Sequence, residues 1–426
     1  MLKASYREDR YRKTDPFGGS IERIALISVH GCPVAQLGNK YTGGMNVYIR
    51  HIAEELSNRG IYVDIFTRSH DPEESEIVKL SERARVIHIG AGHVSNDKAI
   101  IPYHLPEFLC RLLEYTGLNG LSYDLVHSHY WLSGRIGVIL ARHWDVPHLV
   151  SFHTLAEIKQ RARVGERESE QRTRGEKRVI QSANSIVAFS QHERDAMIRF
   201  YDAPEEKIEV IPCGVDAQLF SPSDHGLAKR KLGLEGSSVV LFVGRLEPIK
   251  GVEILLEAVA QLEDMGSVKT LIIGGNLEEH DQEMERLQSI GQELGISNKV
   301  DFVGRLDQEE LPIYYNAADI CVVPSYYESF GLVALEAMAC GTPVIASRVG
   351  GLPTFIKDGL TGYLVESRCP EPFTDRLEIL LSSPRIRMAM GEASRKAALA
   401  MGWSSVVESL IESYTSLVRV PQNDTI

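Results

Sequence analysis

At 426 residues the chain is long enough for two domains of ordinary size, each with its own hydrophobic core. Its 46 basic and 58 acidic residues give a formal net charge of −12, which argues against general attraction to nucleic acid. The six cysteines form neither a CxxC pair nor a Cys/His cluster at zinc spacing, and no apolar run approaches the roughly 20 residues of a membrane-spanning helix. We therefore expect a cytoplasmic protein with reduced cysteines, no nucleic-acid partner and no membrane contact.

The first half of the chain alternates strand-like and helical segments. Residues 1–20 are polar and lack the apolar core of a signal peptide, so we expect a flexible leader. Within residues 21–215, Gly43-Gly44 is predicted to open a helix that reaches Asn58. The predicted strands are Ile24–Val29, Tyr62–Thr67, Arg85–Ile89, Leu125–His127, His148–Ser151 and Ser185–Ala188. This alternation predicts a parallel sheet covered by helices on both faces.

The second half repeats the alternation after a break. The stretch from Val210 to about Ser237 is interpreted as a linker, and residues 216–402 form the second predicted domain. Its predicted strands are Val239–Gly244, Thr270–Gly274, Val300–Val303, Ile320–Val323, Pro343–Ala346 and Gly362–Val365. Residues 403–426 contain a predicted amphipathic helix, Ser404–Leu417, that we expect to pack back toward the first domain. Two such units facing each other would leave a cleft where their strand ends converge.

Two glutamates in the second domain indicate a sugar site. Glu328 follows a predicted strand, and Glu336 lies eight residues later in the helix that begins near Gly331. Ligands of parallel sheets bind beyond the carboxyl ends of the strands, where helix N-termini attract phosphate. Carboxylates beside such a phosphate can accept hydrogen bonds from sugar hydroxyls, so the segment predicts a pocket for a sugar attached to a phosphate. The alternative is one surface glutamate and one on a helix face.

Arg245 and Lys250, in the loop that follows another predicted strand, are the candidate cations for a diphosphate. The chain has no Asp-x-Asp motif, so these cations and helix N-termini would neutralise a leaving diphosphate in place of a metal ion. The alternative is two solvated cations in a surface loop. Gly90-Ala91-Gly92 lacks the context of a dinucleotide fingerprint and no Walker sequence occurs, which argues against a dehydrogenase and a P-loop enzyme.

Two polar segments of the first domain are expected at the same cleft, and a third, charged segment could contribute to it. His127–Trp131 and Ser151–Thr154 follow neighbouring predicted strands, although such histidines can also be packed and hydrogen-bonded core residues. The stretch from Lys159 to Arg178 contains eight basic residues and four glutamates. Most of these charges are expected on a solvated helix, but one or two could line the cleft and hold an anionic acceptor.

Taken together, these motifs resemble the retaining, nucleotide-sugar-dependent glycosyltransferases of the family-four group, from Ile24 to about Tyr414. The resemblance implies the α/β GT-B fold, in which two Rossmann-like, doubly wound parallel-sheet domains face each other across a cleft. It also implies a set of donor-binding residues, namely Gly44, Arg245, Lys250, Glu328 and Glu336. Glu336 would hold the ribose of UDP, Glu328 would meet hydroxyls of the donor sugar, and His153 would lie beside the reacting anomeric carbon. His153 and Glu328 are therefore the implied catalytic residues.

The resemblance further implies an acceptor site in the first domain. Its residues would be His30, Gly43, Asn46, Lys98, Tyr130, Thr154 and Arg172. The phosphate contact assigned to Arg172 could instead belong to Arg174, because matching the family pattern requires a short gap after Arg163. Tyr41 departs from the family pattern, which has an acidic residue before the two glycines.

The implied reaction is retaining transfer of a sugar, with N-acetylglucosamine expected, from a UDP-sugar to a phosphorylated polyol such as 1D-myo-inositol 3-phosphate. Two alternatives within the family are transfer of glucose to fructose 6-phosphate and transfer to a phosphoinositide lipid. A different class is a catalytically silent sugar-nucleotide sensor. No cofactor is expected beyond the UDP-sugar substrate; Mg²⁺ stays open despite the missing Asp-x-Asp motif. The donor sugar and the oligomeric state, a homodimer included, also stay open.

Overall fold

The computed structural model describes residues 21–35, 43–71, 73–93, 100–162, 165, 167–262, 267–277, 280–366 and 368–419. The predicted leader lies outside these ranges, as do Tyr41 and Lys98. Two sheets account for the strands in the described part of the chain. No helix within those ranges combines the length and the apolar character needed to cross a bilayer.

The first sheet has the strand order β3-β4-β2-β1-β5-β6-β7-β8, and every neighbouring pair is parallel except β3 with β4. Its strands are β1 (Arg23–Ile27), β2 (Tyr62–Arg68), β3 (Ile77–Lys79), β4 (Ala84–Ile89), β5 (Leu125–His129), β6 (His148–Ser151), β7 (Ser185–Ala188) and β8 (Ile208–Val210). Residues of β5, β6 and β7 are buried throughout, as expected for strands covered on both faces. The antiparallel edge strand β3 and the short β8 were not predicted.

Helices connect these strands, with a short 3-10 turn at Glu205–Lys207 before β8. They are α1 (Gly44–Asn58), α2 (Ile101–Leu118), α3 (Tyr130–Trp144), α4 (Ala156–Ala162), α5 (Glu170–Ser182) and α6 (Gln191–Tyr201). The helix predicted from Gly43-Gly44 to Asn58 is confirmed as α1. Its buried residues include Ile49, Ile52 and Leu56, which lie on one face and pack on the sheet.

The second sheet is parallel, with the order β11-β10-β9-β12-β13-β14. Its strands are β9 (Ser238–Val243), β10 (Val268–Ile273), β11 (Val300–Gly304), β12 (Ile320–Val323), β13 (Val344–Ser347) and β14 (Tyr363–Val365). Its helices are α7 (His225–Leu232), α8 (Val252–Ala260), α9 (Gln282–Glu293), α10 (Leu311–Ala317), α11 (Leu332–Ala339), α12 (Leu352–Phe355), α13 (Glu371–Ser382) and α14 (Pro384–Leu399), with a 3-10 turn at Pro248–Lys250. The prediction of two doubly wound parallel-sheet units is confirmed.

The interpretation of residues 210–237 as a plain linker was wrong, because the segment contains α7. Asp224 caps this helix by accepting a hydrogen bond from the Leu227 amide, and Gly233 ends it in the left-handed conformation. Lys229 anchors it to the second domain through an ion pair with Asp319 at 2.6 Å. The helix is short and mostly polar, so it has no hydrophobic periodicity to reveal it, whereas its two caps were readable in the sequence.

The last helix of the described chain, α15 (Trp403–Arg419), lies against α1 of the first domain. The ring of Trp403 stacks on His51 at a centroid distance of 4.9 Å. Near the other end of α15, the Tyr414 hydroxyl lies 2.8 Å from Nδ1 of the buried His127 on β5. The chain therefore returns from the second domain and is fixed to the first by buried contacts.

Candidate active site

The carboxyl ends of both sheets face a cavity of about 380 Å³ between the two domains. Residues from both domains line it, as expected for a ligand site at the junction of two doubly wound sheets. Twelve of the predicted site residues line this cavity, namely His30, Gly43, Gly44, Asn46, Tyr130, His153, Thr154, Arg172, Arg245, Lys250, Glu328 and Glu336. Lys98 lies outside the described residues. The structure brings the predicted residues together; their individual roles stay predictions.

Two helix N-termini meet at the cavity, one from each domain. A Cβ placed on Gly44, the first residue of α1, would lie 3.2 Å from Cδ1 of Leu332, the first residue of α11. The neighbouring Gly43 faces Arg245, whose Nε would lie 3.7 Å from a Cβ at that position. Neither helix has an acidic residue in its first turn. Their unpaired backbone N–H groups and positive dipole ends therefore create an environment that favours an anion such as a diphosphate.

Lys250 and Glu328 form an ion pair at the wall of the cavity. The Lys250 Nζ lies 2.5 Å from Oε1 of Glu328, which also accepts a hydrogen bond from Ser325 Oγ at 3.0 Å. Gly251 allows the loop that carries Lys250 to lie close to the segment that carries Glu328. Its φ is +65°, and a Cβ at this position would lie 2.3 Å from the Pro324 carbonyl oxygen. The predicted diphosphate cation and the predicted sugar-binding carboxylate thus lie side by side.

Glu336 is buried in α11, where only 6% of its surface is exposed. The Tyr315 hydroxyl donates a hydrogen bond to its Oε2 at 2.9 Å, and the Gln308 side chain donates one to its Oε1 at 3.2 Å. Burial nevertheless raises the pKa of Glu336 to about 7. A carboxylate held in this way has acceptor capacity left for ribose hydroxyls, and those bonds would stabilise its charged form.

His153 lies between the two domains, with a left-handed backbone (φ +61°) that is rare for a residue with a side chain. Ser329, next to Glu328, donates a hydrogen bond to the His153 carbonyl oxygen and so links the two predicted catalytic segments. The His153 Nε2 lies 3.1 Å from Nδ1 of His129. Desolvation lowers the pKa of His153 to about 3, so the imidazole is neutral at pH 7. A neutral ring at this place can accept or donate a hydrogen bond without bringing a charge.

Arg172 is a buried cation on the side of the cavity that the first domain forms. One of its terminal nitrogens donates hydrogen bonds to both the carbonyl oxygen and Oγ1 of Thr154, each at 3.0 Å. Its Nε donates to Glu176 at 2.7 Å, and Glu168 forms a further ion pair at 3.0 Å. The guanidinium carbon lies 5.0 Å from the centre of the Tyr130 ring. This network fixes the guanidinium in one orientation at the cavity wall.

Arg174, the competing candidate for the acceptor phosphate, points elsewhere. Its side chain is 71% exposed and pairs with Glu170 at 2.5 Å along the outer face of α5. Lys159, from the same basic stretch, does line the cavity. Two residues of this stretch, Lys159 and Arg172, therefore reach the cavity, in agreement with the expectation that one or two of its cations would do so.

Arg305 and Glu176 are two residues that the sequence analysis missed. Arg305 lines the cavity directly after β11. A signal for it existed, because the sequence Gly304-Arg305-Leu306 repeats Gly244-Arg245-Leu246, and both follow strands of the same sheet. Glu176 is fully buried and accepts hydrogen bonds from Arg172, the Tyr201 hydroxyl and the Ala156 amide. A glutamate inside a strongly charged helical segment gives no sequence signal of such burial.

Comparison with known protein families agrees with this architecture. Residues 42–219 match the family described as Glycosyltransferase Family 4, and residues 226–397 match the family described as Glycosyl transferases group 1. The two matched regions correspond to the two sheet-containing halves of the chain. The interdomain cavity lies between them.

Individual relatives cover nearly the whole chain. The D-inositol 3-phosphate glycosyltransferase of Corynebacterium jeikeium (strain K411) is 41% identical over 93% of this chain and 97% of its own length. The protein of the same name from Thermobifida fusca (strain YX) is 39% identical over 92% of this chain and 93% of its own. Among solved structures, sucrose-phosphate synthase from Thermosynechococcus elongatus has a TM-score of 0.87 and 35% identity, covering 93% of this chain and 99% of that one. Sequence, fold and cavity agree, and this chain belongs to the family-four glycosyltransferases with the GT-B fold.

Proposed function

We propose that this glycosyltransferase moves a sugar, with N-acetylglucosamine as the first candidate, from a UDP-sugar to a hydroxyl of an inositol phosphate, with retention of the anomeric configuration. The relatives named D-inositol 3-phosphate glycosyltransferase, at about 40% identity over most of the chain, support the acceptor class. The structural observation that carries the proposal is the presence in one cavity of two cationic groups, one from each domain. One group suits a diphosphate and the other suits the phosphate of an acceptor.

The donor would bind against the second domain. Its diphosphate would lie between the N-termini of α1 and α11, where Arg245 and Lys250 supply positive charge. Glu336 would accept hydrogen bonds from the ribose, and Glu328 would contact hydroxyls of the transferred sugar. The Lys250–Glu328 ion pair supports this arrangement, because it keeps the cation at the junction between sugar and diphosphate.

The acceptor would bind against the first domain. Arg172, Thr154 and Tyr130 would hold its phosphate, since the guanidinium is already fixed toward the cavity by Glu176. His30 and Asn46, which line the same side, would contact the polyol ring. This arrangement would direct a ring hydroxyl toward the junction between the domains, where His153 lies.

The chemistry that fits this cavity is attack by the acceptor hydroxyl on the same face of the sugar that UDP leaves. The bond from the anomeric carbon to the UDP oxygen would break, the bond to the acceptor oxygen would form, and the acceptor proton would pass to the departing phosphate oxygen. Each carboxylate among the described lining residues is already engaged: Glu247 with Arg245, Glu328 with Lys250, and Glu336 with Tyr315. In this proposal none of these carboxylates acts as a nucleophile, and the protein positions the reactants and stabilises developing charge.

Arg245 and Lys250 would neutralise the leaving UDP, so the transfer should not require added Mg²⁺. The same two cations provide the simplest test of the leaving-group part of the proposal. Replacing Arg245 by Ala should lower turnover by orders of magnitude without changing the fold. Near-normal turnover of Arg245→Ala would refute the role of that residue.

The acceptor is tested by incubating the protein with UDP-N-acetylglucosamine or UDP-glucose and a panel of phosphorylated acceptors, and measuring UDP release. The proposal predicts release that depends on 1D-myo-inositol 3-phosphate, and an α-configured product from the α-linked donor by NMR. If neither 1D-myo-inositol 3-phosphate nor its isomers caused UDP release, the acceptor class would be refuted. A β-linked product would refute retention.

A second candidate is transfer of glucose to fructose 6-phosphate. The likeness to sucrose-phosphate synthase, at 35% identity over 93% of this chain, favours it specifically. Both acceptors carry a phosphate monoester, so the Arg172 group does not distinguish them. UDP release with UDP-glucose and fructose 6-phosphate, combined with none for inositol phosphate, would establish this alternative.

A further inference from the structure

Three potential metal ligands lie together in the first domain, outside the lining of the cavity. Cys32 follows β1, Glu74 lies in the loop after β2, and His88 is on β4. The His88 Nε2 lies 3.2 Å from Cys32 Sγ and 2.9 Å from Glu74 Oε1, and the latter two atoms are 3.9 Å apart. Cys32 and His88 are buried, and the Glu74 side chain is 13% exposed. The sequence has no cysteine and histidine cluster at zinc spacing because these ligands come from three separate segments.

The hydrogen bonding of His88 turns one nitrogen of its ring toward this cluster. Its Nδ1 lies 2.7 Å from the Ser75 carbonyl oxygen, which can only accept, so Nδ1 is the donor of this hydrogen bond. The opposite nitrogen, Nε2, is the one that faces both Glu74 and Cys32. A backbone carbonyl that fixes the other nitrogen is also the usual outer partner of a metal-bound histidine.

The same geometry argues against a nucleophilic cysteine. In a Cys–His–acid triad the acid holds one ring nitrogen while the other nitrogen activates the thiol. Here both Cys32 and Glu74 face the same nitrogen of His88, and the other nitrogen is bound to a main-chain carbonyl. The arrangement converges on one point in space, as ligands of a metal ion do.

The ligand types and spacing fit zinc. A thiolate with an imidazole selects Zn²⁺ over the hard ions Mg²⁺ and Ca²⁺, which prefer oxygen ligands. Tetrahedral zinc bonds of ordinary length place neighbouring ligand atoms about 3.3–3.6 Å apart. The three separations in this cluster, 3.2, 2.9 and 3.9 Å, lie on either side of that range, so small side-chain movements would suffice.

His70 supports the orientation of Glu74. Its Nδ1 lies 3.4 Å from Glu74 Oε2, and its amide donates a hydrogen bond to the same oxygen at 3.3 Å. This leaves Oε1 directed at His88 and Cys32. His70 thus acts as an outer partner of the carboxylate, and the fourth position of the ion would be taken by water.

We propose that Cys32, Glu74 and His88 bind one zinc ion that stabilises the acceptor side of the cavity. The Asn46 side chain donates a hydrogen bond to the Cys32 carbonyl oxygen at 2.7 Å, and His30 lies two residues before Cys32. Both Asn46 and His30 line the cavity, so an ion that fixes Cys32 would also restrain His30 through the chain and Asn46 through its hydrogen bond. The ion has a structural role and takes no part in the transfer of the sugar.

The test measures zinc in protein made without a polyhistidine tag and freed of loose metal by gel filtration. We expect about one zinc ion per chain by elemental analysis. Cys32→Ser and His88→Ala should lose the ion, whereas Cys110→Ser, which changes an exposed cysteine on α2, should keep it. Wild-type protein without zinc, or with Cys32→Ser retaining a full equivalent, would overturn the proposal.

Two further measurements do not depend on those variants folding. Cobalt added to the zinc-depleted wild-type protein should give the thiolate-to-cobalt absorption near the ultraviolet, and zinc should raise the unfolding temperature of the depleted protein. His70→Ala should lower the affinity for zinc by about 10- to 100-fold, as the loss of an outer hydrogen-bond partner of a metal ligand does. A depleted protein that shows neither the cobalt absorption nor a shift in unfolding temperature would contradict the proposal, whatever its activity. UDP-release activity is measured in a separate assay. Failure of the proposed function would therefore not change the conclusion about zinc binding.

Discussion

The Nζ of Lys250 and Oε1 of Glu328 are 2.5 Å apart, so a predicted diphosphate cation and a predicted sugar carboxylate form an ion pair. A bound UDP-sugar would bring its own negative charge to Lys250 and its hydroxyls to Glu328. Each member of the pair would then exchange part of its present interaction for a contact with the donor. The two residues should therefore behave as one unit in catalysis.

A double-mutant cycle tests that coupling. Lys250→Ala and Glu328→Gln should each lower kcat/KM by about 10²–10³, and the double variant should lose much less than the product of the two effects. Steady-state UDP release measures both. Lys269→Ala is the matched control, because Lys269 on β10 forms a partly exposed ion pair with Asp301 on β11, and neither residue lines the cavity. Effects that multiply fully would show that the two residues act independently.

Binding of the acceptor phosphate is predicted to depend on Arg172 and not on Arg174. Arg172→Lys should raise the KM for the phosphorylated acceptor by about 10- to 100-fold, the equivalent of losing charge-assisted hydrogen bonds worth about 1.5–3 kcal/mol. The dissociation constant of the donor should change little. Lysine is chosen over alanine because Glu176 is fully buried and needs a cationic neighbour.

Arg174→Lys is the control for that change, since Arg174 is exposed and pairs with Glu170. It should leave both constants unaltered. If Arg174→Lys raised the acceptor KM and Arg172→Lys did not, the assignment of the phosphate site would be reversed.

Donor binding should weaken as the pH falls through neutrality. Burial raises the pKa of Glu336 to about 7, and the ribose hydroxyls would hydrogen-bond to its ionised form. Bound donor therefore favours loss of the proton, so affinity is highest above pH 7 and falls below it, approaching about tenfold per pH unit. A UDP-sugar should be titrated in place of UDP, because its diphosphate has no proton to gain in this range.

Glu336→Gln provides the comparison for the pH profile. This variant should bind the UDP-sugar more weakly at pH 8 and show no slope between pH 5.5 and pH 8. A wild-type affinity that is independent of pH, or that rises on acidification, would show that Glu336 does not accept the ribose hydrogen bonds as a carboxylate.

The attachment of α15 to the first domain is predicted to contribute to stability through one buried hydrogen bond. Tyr414→Phe removes the hydroxyl that lies 2.8 Å from His127 Nδ1 and leaves that nitrogen without its partner. The free energy of unfolding should fall by about 1–3 kcal/mol in urea titrations. Tyr103→Phe, at a position that is 76% exposed, should change it by less than about 0.5 kcal/mol. Equal stability of the two variants would contradict this account.

The sequence was sufficient for the fold class and for much of the site because the relevant signals are local. Gly43-Gly44 opens a helix, the buried strands are short apolar runs, and Arg245 and Glu328 follow strands whose ends meet at one edge of a sheet. Parallel topology then brings residues that are far apart in sequence to the same cavity. The separation of Arg172 from Arg174 also has a local reason, since residues two positions apart on a helix point in different directions.

The features that the sequence did not predict depend on long-range contacts or on weak patterns. Glu176 is buried because three hydrogen-bond donors surround its carboxylate, and the sequence of a charged helix does not indicate these partners. The cluster of Cys32, Glu74 and His88 forms only when three loops and strands assemble. Helix α7 has no hydrophobic periodicity, and its polar composition favoured a linker although the residues that cap its two ends were present in the sequence. Arg305 is different, because the repeated Gly-Arg-Leu sequence could have identified it.

We propose that the two domains bind a nucleotide diphosphate whose charge is neutralised by Arg245 and Lys250. Isothermal titration calorimetry of UDP with the wild-type protein and with the Arg245→Ala/Lys250→Ala double variant tests it most directly. The account predicts clear binding by the wild-type protein and affinity lower by about three orders of magnitude in the double variant, roughly 4 kcal/mol from two charge-assisted contacts. No heat with the wild-type protein, or equal affinity in the two proteins, would contradict it.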